Sequence, residues 1–145
     1  MRNEKIQILK LVLSIVYFSL FIFLFNCLLQ MIVYTCMVFL GSGLGGVCRW
    51  ALSSWLNVLH PYGTLICNLL GCFLLGLLTK LSPGDTHMKL LLTTGFCGGF
   101  TTFSTFMNES FFMLRGGQLF VAFSYMVVSL VLGLACVWIG YNVVR

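Results

Sequence analysis

The residues able to do chemistry are few, and they sit inside apolar sequence. Asn68 is a strong amide within the run GTLICNLLG, and Arg49 and Glu109 are ionisable groups within or beside such runs. An unpartnered amide in hydrocarbon costs a few kcal/mol, so Asn68 either bonds to a neighbouring helix or donates to a bound or passing ion. Intramembrane charges are functional candidates by default. Arg49 and Glu109 could equally pair with each other or snorkel to an interface.

The densest feature is residues 95–106, GFCGGFTTFSTF, with three glycines, four hydroxyls and four phenylalanines. The glycines predict a helix that unwinds over 95–99. Backbone groups freed at membrane depth are tolerated only where protein buries them or a polar path uses them, and broken helices of this kind form ion sites. Beyond the break, Phe103 and Phe106 lie three apart and share one helical face. Their positive ring edges would make a dry, weakly electropositive lining for a small anion. Ser104, Thr105 and Asn68 could add donors, and no carboxylate cage for a hard cation is present. Tyr125, Ser129 and Gly133 follow at four-residue spacing, one stripe of a later helix that suits a polar track or ordinary helix packing.

These residues need a membrane architecture to position them. Of 145 residues, 60% are hydrophobic and 8% charged, and the mean hydropathy is +1.06. At about 20 residues per spanning helix, the expectation is an all-α integral membrane protein. Four spans are expected, over residues 31–59, 63–78, 88–114 and 118–144, the third one broken. Residues 1–30 form a hydrophobic extension that could span, act as an uncleaved signal-like segment, or lie outside the natural start at Met31. Residues 31–145 form the channel-like domain.

The formal charge of +5 comes from scattered basic residues that flank apolar runs, so no nucleic-acid surface is expected. Seven cysteines without a C-x-x-C pair read as small, buried, reduced packing residues. Residues 41–46, GSGLGG, match a dinucleotide fingerprint literally but lack its strand and its later acid. In a span, Gly41 and Gly45 instead let another helix approach closely. Neither histidine belongs to a catalytic arrangement, so an enzyme is not expected.

The three segments GSGLGGVCRW, GTLICNLLG and GFCGGFTTFSTF, in that order on successive spans, resemble the Fluc (CrcB) family of fluoride channels over residues 31–144. The resemblance implies a multi-pass protein of the cell membrane through which cytoplasmic fluoride leaves passively. It implies an antiparallel, dual-topology homodimer with two pores and a structural sodium ion. By the same resemblance, Asn68, Phe103 and Phe106 line the pores and Thr64, Ser104 and Thr105 lie on the polar route. Tyr125 and Ser129 match its fourth-helix track, and the carbonyls of Gly98 and Thr101 match the sodium ligands. Arg49 and Glu109 fall at polar positions of electrostatic or vestibule character. Gly133 departs from the track, where a further hydroxyl is common, and residues 1–30 have no counterpart in the family.

Two other classes compete. A small multidrug-type transporter would need a carboxylate in its first span, and none is there. A packing subunit of a larger complex would explain the glycines and cysteines but not the file of phenylalanines and threonines. Counted from Met31, Lys80, Lys89 and Arg145 fall on one side and Arg49 and Arg115 on the other, a bias too small to fix orientation. Arg2, Lys5 and Lys10 would add to one side.

Overall fold

The computed structural model describes residues 2–56, 62–82 and 84–144. All of its regular structure is helical: α1 (Arg2–Leu56), α2 (Tyr62–Leu81), α3 (Thr86–Met88), a π-helix (Lys89–Cys97), α4 (Gly98–Phe100), α5 (Phe103–Arg115) and α6 (Leu119–Val143). Three of these helices are long and apolar enough to cross a membrane, over Lys5–Leu56, Gly63–Leu81 and Leu119–Val143. The remaining expected crossing, third in chain order, is the composite one, residues 86–115. The expected turn at His60 and Pro61 lies outside the described residues.

By its contacts the chain divides into two units, Met1–Thr35 and Cys36–Arg145. In the first, the described side chains of Ile8, Leu11, Phe18, Phe23 and their neighbours are exposed on all sides of the helix. A helix apolar all round belongs in a core or a bilayer.

In the second unit the glycines act by letting backbones touch. A methyl group on Gly41 would fall 2.1 Å from the Leu91 carbonyl oxygen, and one on Gly45 would fall 2.2 Å from that of Phe96. The small-residue face of α1 thus lies directly on the π-helix and α4, as the spacing of Gly41 and Gly45 predicts. Gly76 and Gly140 play the same part between α2 and α6, where added methyls would meet the Val137 and Phe73 carbonyl oxygens at 2.1 Å each. Lipid offers no hydrophobic drive for helices to associate, so close van der Waals packing of this kind holds such bundles together. The outer surface stays apolar, with Phe120, Leu134 and Trp138 exposed.

The third span is broken, but not where the glycines suggest. Residues 95–100 remain helical, and the chain leaves the helix at Thr101 (φ −85°, ψ 152°) and Thr102 (φ −143°, ψ 113°). Gly95 and Gly99 serve packing instead, since methyls there would meet the α1 backbone at Gly41 and Ser42. Two consecutive β-branched residues favour extended backbone, and Thr102 then caps α5 by accepting the N–H of Thr105 on its side chain. The π-helical run before the break, of a rare type often found at functional sites, was not foreseeable from composition.

The cysteines are free throughout, but their burial is mixed. Cys67 and Cys97 are buried, while Cys27, Cys36 and Cys48 are exposed. The expectation of uniformly buried packing thiols therefore holds for only part of the set.

Candidate ion pathway at the broken helix

A break inside a span raises the question of where its backbone hydrogen bonds go. Three of them find partners on other helices. The Asn68 carboxamide on α2 serves Thr102 twice: the Thr102 N–H donates to Asn68 Oδ1 at 2.7 Å, and Asn68 Nδ2 donates to the Thr102 carbonyl at 3.2 Å. Asn68 thus acts as a substitute peptide group. An amide nitrogen carries two hydrogens, so one remains beyond the bond to Thr102. On the other side of the break, Arg49 Nε donates to the Gly99 carbonyl at 3.2 Å. The Cys97 carbonyl accepts both the Thr101 N–H, at 3.0 Å, and the Thr101 hydroxyl, at 2.9 Å.

Beside the break lies a cavity of about 390 Å³, lined among others by Asn68, Gly98, Thr101, Thr102, Phe106 and Ser129. The Ser129 hydroxyl is buried and has no hydrogen-bond partner among the described residues. Gly98 faces open space, with nothing within 4 Å of where a methyl would stand.

The two phenylalanines divide the work. Phe106 is 4% exposed and tilts against both Phe103, at a centroid distance of 6.0 Å, and Tyr125, at 5.2 Å. Phe103 is 71% exposed, although it also borders the cavity. Both rings border the same cavity, as their shared face predicts, and only Phe106 is buried within the chain. Positions three apart stand about 60° from each other around a helix, which lets both rings reach one cavity while only Phe106 is covered by the rest of the chain.

Beyond Phe106, Glu109 takes a place the sequence left open. Its Oε1 accepts the hydroxyl of buried Thr64 at 2.6 Å, and its Oε2 accepts the Tyr125 hydroxyl at 2.8 Å. It does not pair with Arg49, whose bond goes to Gly99. A second cavity of about 350 Å³, bordered by Asn108, Glu109 and Gln118, opens from this cluster toward the α5–α6 turn. Ser104 and Thr105 gather instead on Thr102, whose hydroxyl lies 3.3 Å from that of Ser104 and donates to that of Thr105 at 3.0 Å. Ser104 is exposed and Thr105 half-buried.

Thr102 is the residue that sequence reasoning missed. Its signal was a threonine immediately ahead of an apolar-periodic run, the usual start of a helix.

The family model described as CrcB-like protein, Camphor Resistance (CrcB), matches residues 36–141, and so spans the α1 glycine face, the break, the Glu109 cluster and most of α6. The chain belongs to the CrcB family. Among its CrcB relatives, a protein of Flavobacterium psychrophilum is 38% identical over 114 residues, covering 73% of this chain and 92% of the relative. One from Chlorobium phaeobacteroides is 37% identical over 121 residues, covering 77% and 94%. One from Serratia proteamaculans is 47% identical over 100 residues, covering 64% and 79%. All three relatives bear the name fluoride-specific ion channel FluC. The CrcB match begins after residue 35, so the N-terminal unit lies outside it.

Proposed function

We propose that this chain is a fluoride-specific ion channel of the cell membrane, not an enzyme, and that it lets cytoplasmic fluoride leave passively. The observation that carries the reading is the buried, unpartnered hydroxyl of Ser129, a residue that lines the same cavity as Asn68 and Phe106. Fluoride is small and strongly hydrated, so a dry route must replace its water with several close, weak donors. The spare Asn68 hydrogen, the Ser129 hydroxyl and the ring edges of Phe103 and Phe106 are such donors. The route continues past Tyr125, Glu109 and Thr64 to the cavity beside Gln118. A cation transporter is disfavoured, because both oxygens of the carboxylate nearest the route already accept hydroxyls.

A single subunit leaves Phe103 exposed, which supports a second copy completing the route in an antiparallel homodimer with two pores. With Arg49 held inside the bundle at Gly99, the connector charges of residues 31–145 reduce to Lys80, Lys89 and Arg145 against Arg115. That difference is small enough for both insertions. A C-terminal tag on both membrane faces is the matching observation, and a tag confined to one face contradicts it.

The open face of Gly98 and the extended backbone at Thr101 suit a structural sodium ion. Backbone carbonyls are hard, uncharged oxygens of the kind alkali ions accept. Sodium there would supply a fixed positive charge beside the anion route.

The experiment for the function itself is passive fluoride efflux from liposomes holding the purified chain. Efflux should follow the fluoride gradient in either direction with no proton gradient, and failure to release fluoride contradicts the proposal.

A further inference from the structure

Arg49 is a half-buried charge for which an anion channel offers a ready explanation, attraction of fluoride. Its geometry says something else. In an unbroken helix the Gly99 carbonyl would accept the N–H of Phe103, four residues on. The extended Thr101 and Thr102 carry that N–H away, and Arg49 Nε supplies the replacement at 3.2 Å. Its reach is fixed by the face it stands on. Ser42, Gly45 and Arg49 recur at helical spacing on α1, and Gly45 lacks the methyl that would hold α1 away from Phe96. The Ser42 hydroxyl donates to the Gly95 carbonyl at 3.4 Å one turn earlier. The α1 face thus collects carbonyls along the first half of the broken helix and ends at Gly99, one of those that the break deprives of a helical partner.

We propose that Arg49 is a positioning residue. Through its Nε it fixes the Gly99 carbonyl, and so the direction in which the neighbouring Gly98 and Thr101 carbonyls point, and its net charge is secondary to that bond. The inference rests on the channel reading and adds a role for α1 to it.

The side chain of glutamine places its amide nitrogen the same number of bonds from the backbone as Arg Nε. Arg49→Gln therefore keeps a donor for Gly99 and removes the charge, while Arg49→Met keeps the length and removes both. Fluoride efflux from liposomes is measured for the parent and both variants over a range of fluoride concentrations.

Arg49→Gln should stay within about fivefold of the parent, the scale of losing a charge at a helix C-terminus. Arg49→Met should fall by more than about tenfold, as expected when a carbonyl inside a membrane protein loses its partner. The loss in Arg49→Met should appear in maximal flux with the half-saturating fluoride concentration unchanged. Equal losses in both variants with dimers assembled as in the parent, or a raised half-saturating fluoride concentration in Arg49→Gln, would overturn the proposal in favour of charge attraction. If Arg49→Met does not assemble, Arg49→Gln decides alone: retained flux upholds the proposal, and a loss beyond about tenfold in an assembled dimer overturns it. A parent without fluoride flux sinks the channel reading itself, a distinct outcome.

Discussion

The carboxamide of Asn68 meets both backbone groups of Thr102, accepting its N–H at 2.7 Å and donating to its carbonyl at 3.2 Å. Two helices are thereby joined by a pair of bonds resembling one rung of a sheet, at the point where the third span comes apart. The sequence left two roles open for Asn68, a helix-to-helix bond or a donor to an ion. The geometry fills the first and leaves one hydrogen for the second.

Replacing Asn68 with Asp separates these functions poorly by shape but well by chemistry. The carboxylate still accepts the Thr102 N–H, yet faces the Thr102 carbonyl with no donor. Leaving a buried carbonyl unmatched costs about 1–3 kcal/mol, so Asn68→Asp should lower fluoride efflux at least tenfold and reduce thermal stability in detergent. An Asn68→Asp protein with parental flux and melting would contradict the bracing role.

Phe106 and Phe103 should respond differently to the same change. Phe106→Ile removes a buried ring and its contact with Tyr125, so both flux and stability should fall, the latter by about 0.5–1.5 kcal/mol for the lost ring pair beyond any packing loss. Phe103→Ile alters an exposed ring, and subunit stability should stay within about 0.5 kcal/mol while flux collapses. Parental flux in Phe106→Ile would defeat the ring-edge mechanism even with the family assignment intact.

Glu109 holds two hydroxyls at once, Thr64 on Oε1 and Tyr125 on Oε2. Glutamine fits the same space but can accept on only one of its two terminal atoms. Glu109→Gln should therefore release one hydroxyl and lower fluoride flux by about tenfold, equivalent to one net hydrogen bond to a charged group. Flux at the parental level would show that Glu109 does not organise the route.

Adjacent glycines at the break give a paired test of the sodium proposal. A methyl on Gly99 would fall 2.4 Å from the Ser42 carbonyl oxygen, whereas one on Gly98 meets nothing within 4 Å. Gly99→Ala should disrupt assembly outright. Gly98→Ala should leave the subunit folded but raise the sodium concentration needed for half-maximal flux. Equal fluoride flux of the parent in sodium-free buffer would count against a structural sodium ion.

Much of this arrangement was readable in advance, and the exceptions share a physical cause. The apolar helices follow from hydropathy, because bilayer thickness sets helix length, but the expected start of a first span at Met31 does not, since α1 runs unbroken from Arg2 to Leu56. The close approach at Gly41 and Gly45 follows from small-residue spacing. The break was legible as a fact and illegible in position, since glycine serves both unwinding and backbone contact. Only the partner helix, through Ser42 at Gly99, reveals which of the two operates. Thr102 and Glu109 are defined by partners 34 and 45 residues away in sequence, and periodicity carries no trace of such pairs. The exposure of Phe103 beside buried Phe106 was not legible, because a shared helical face says nothing about which of its residues the rest of the chain covers.

The most direct measurement loads liposomes holding the purified chain with equal fluoride and chloride and follows both anions with selective electrodes after dilution. The account predicts fast fluoride release with chloride retained, because chloride would have to force apart rings packed at protein-interior density. Release of both anions at similar rates, or of neither, would contradict it.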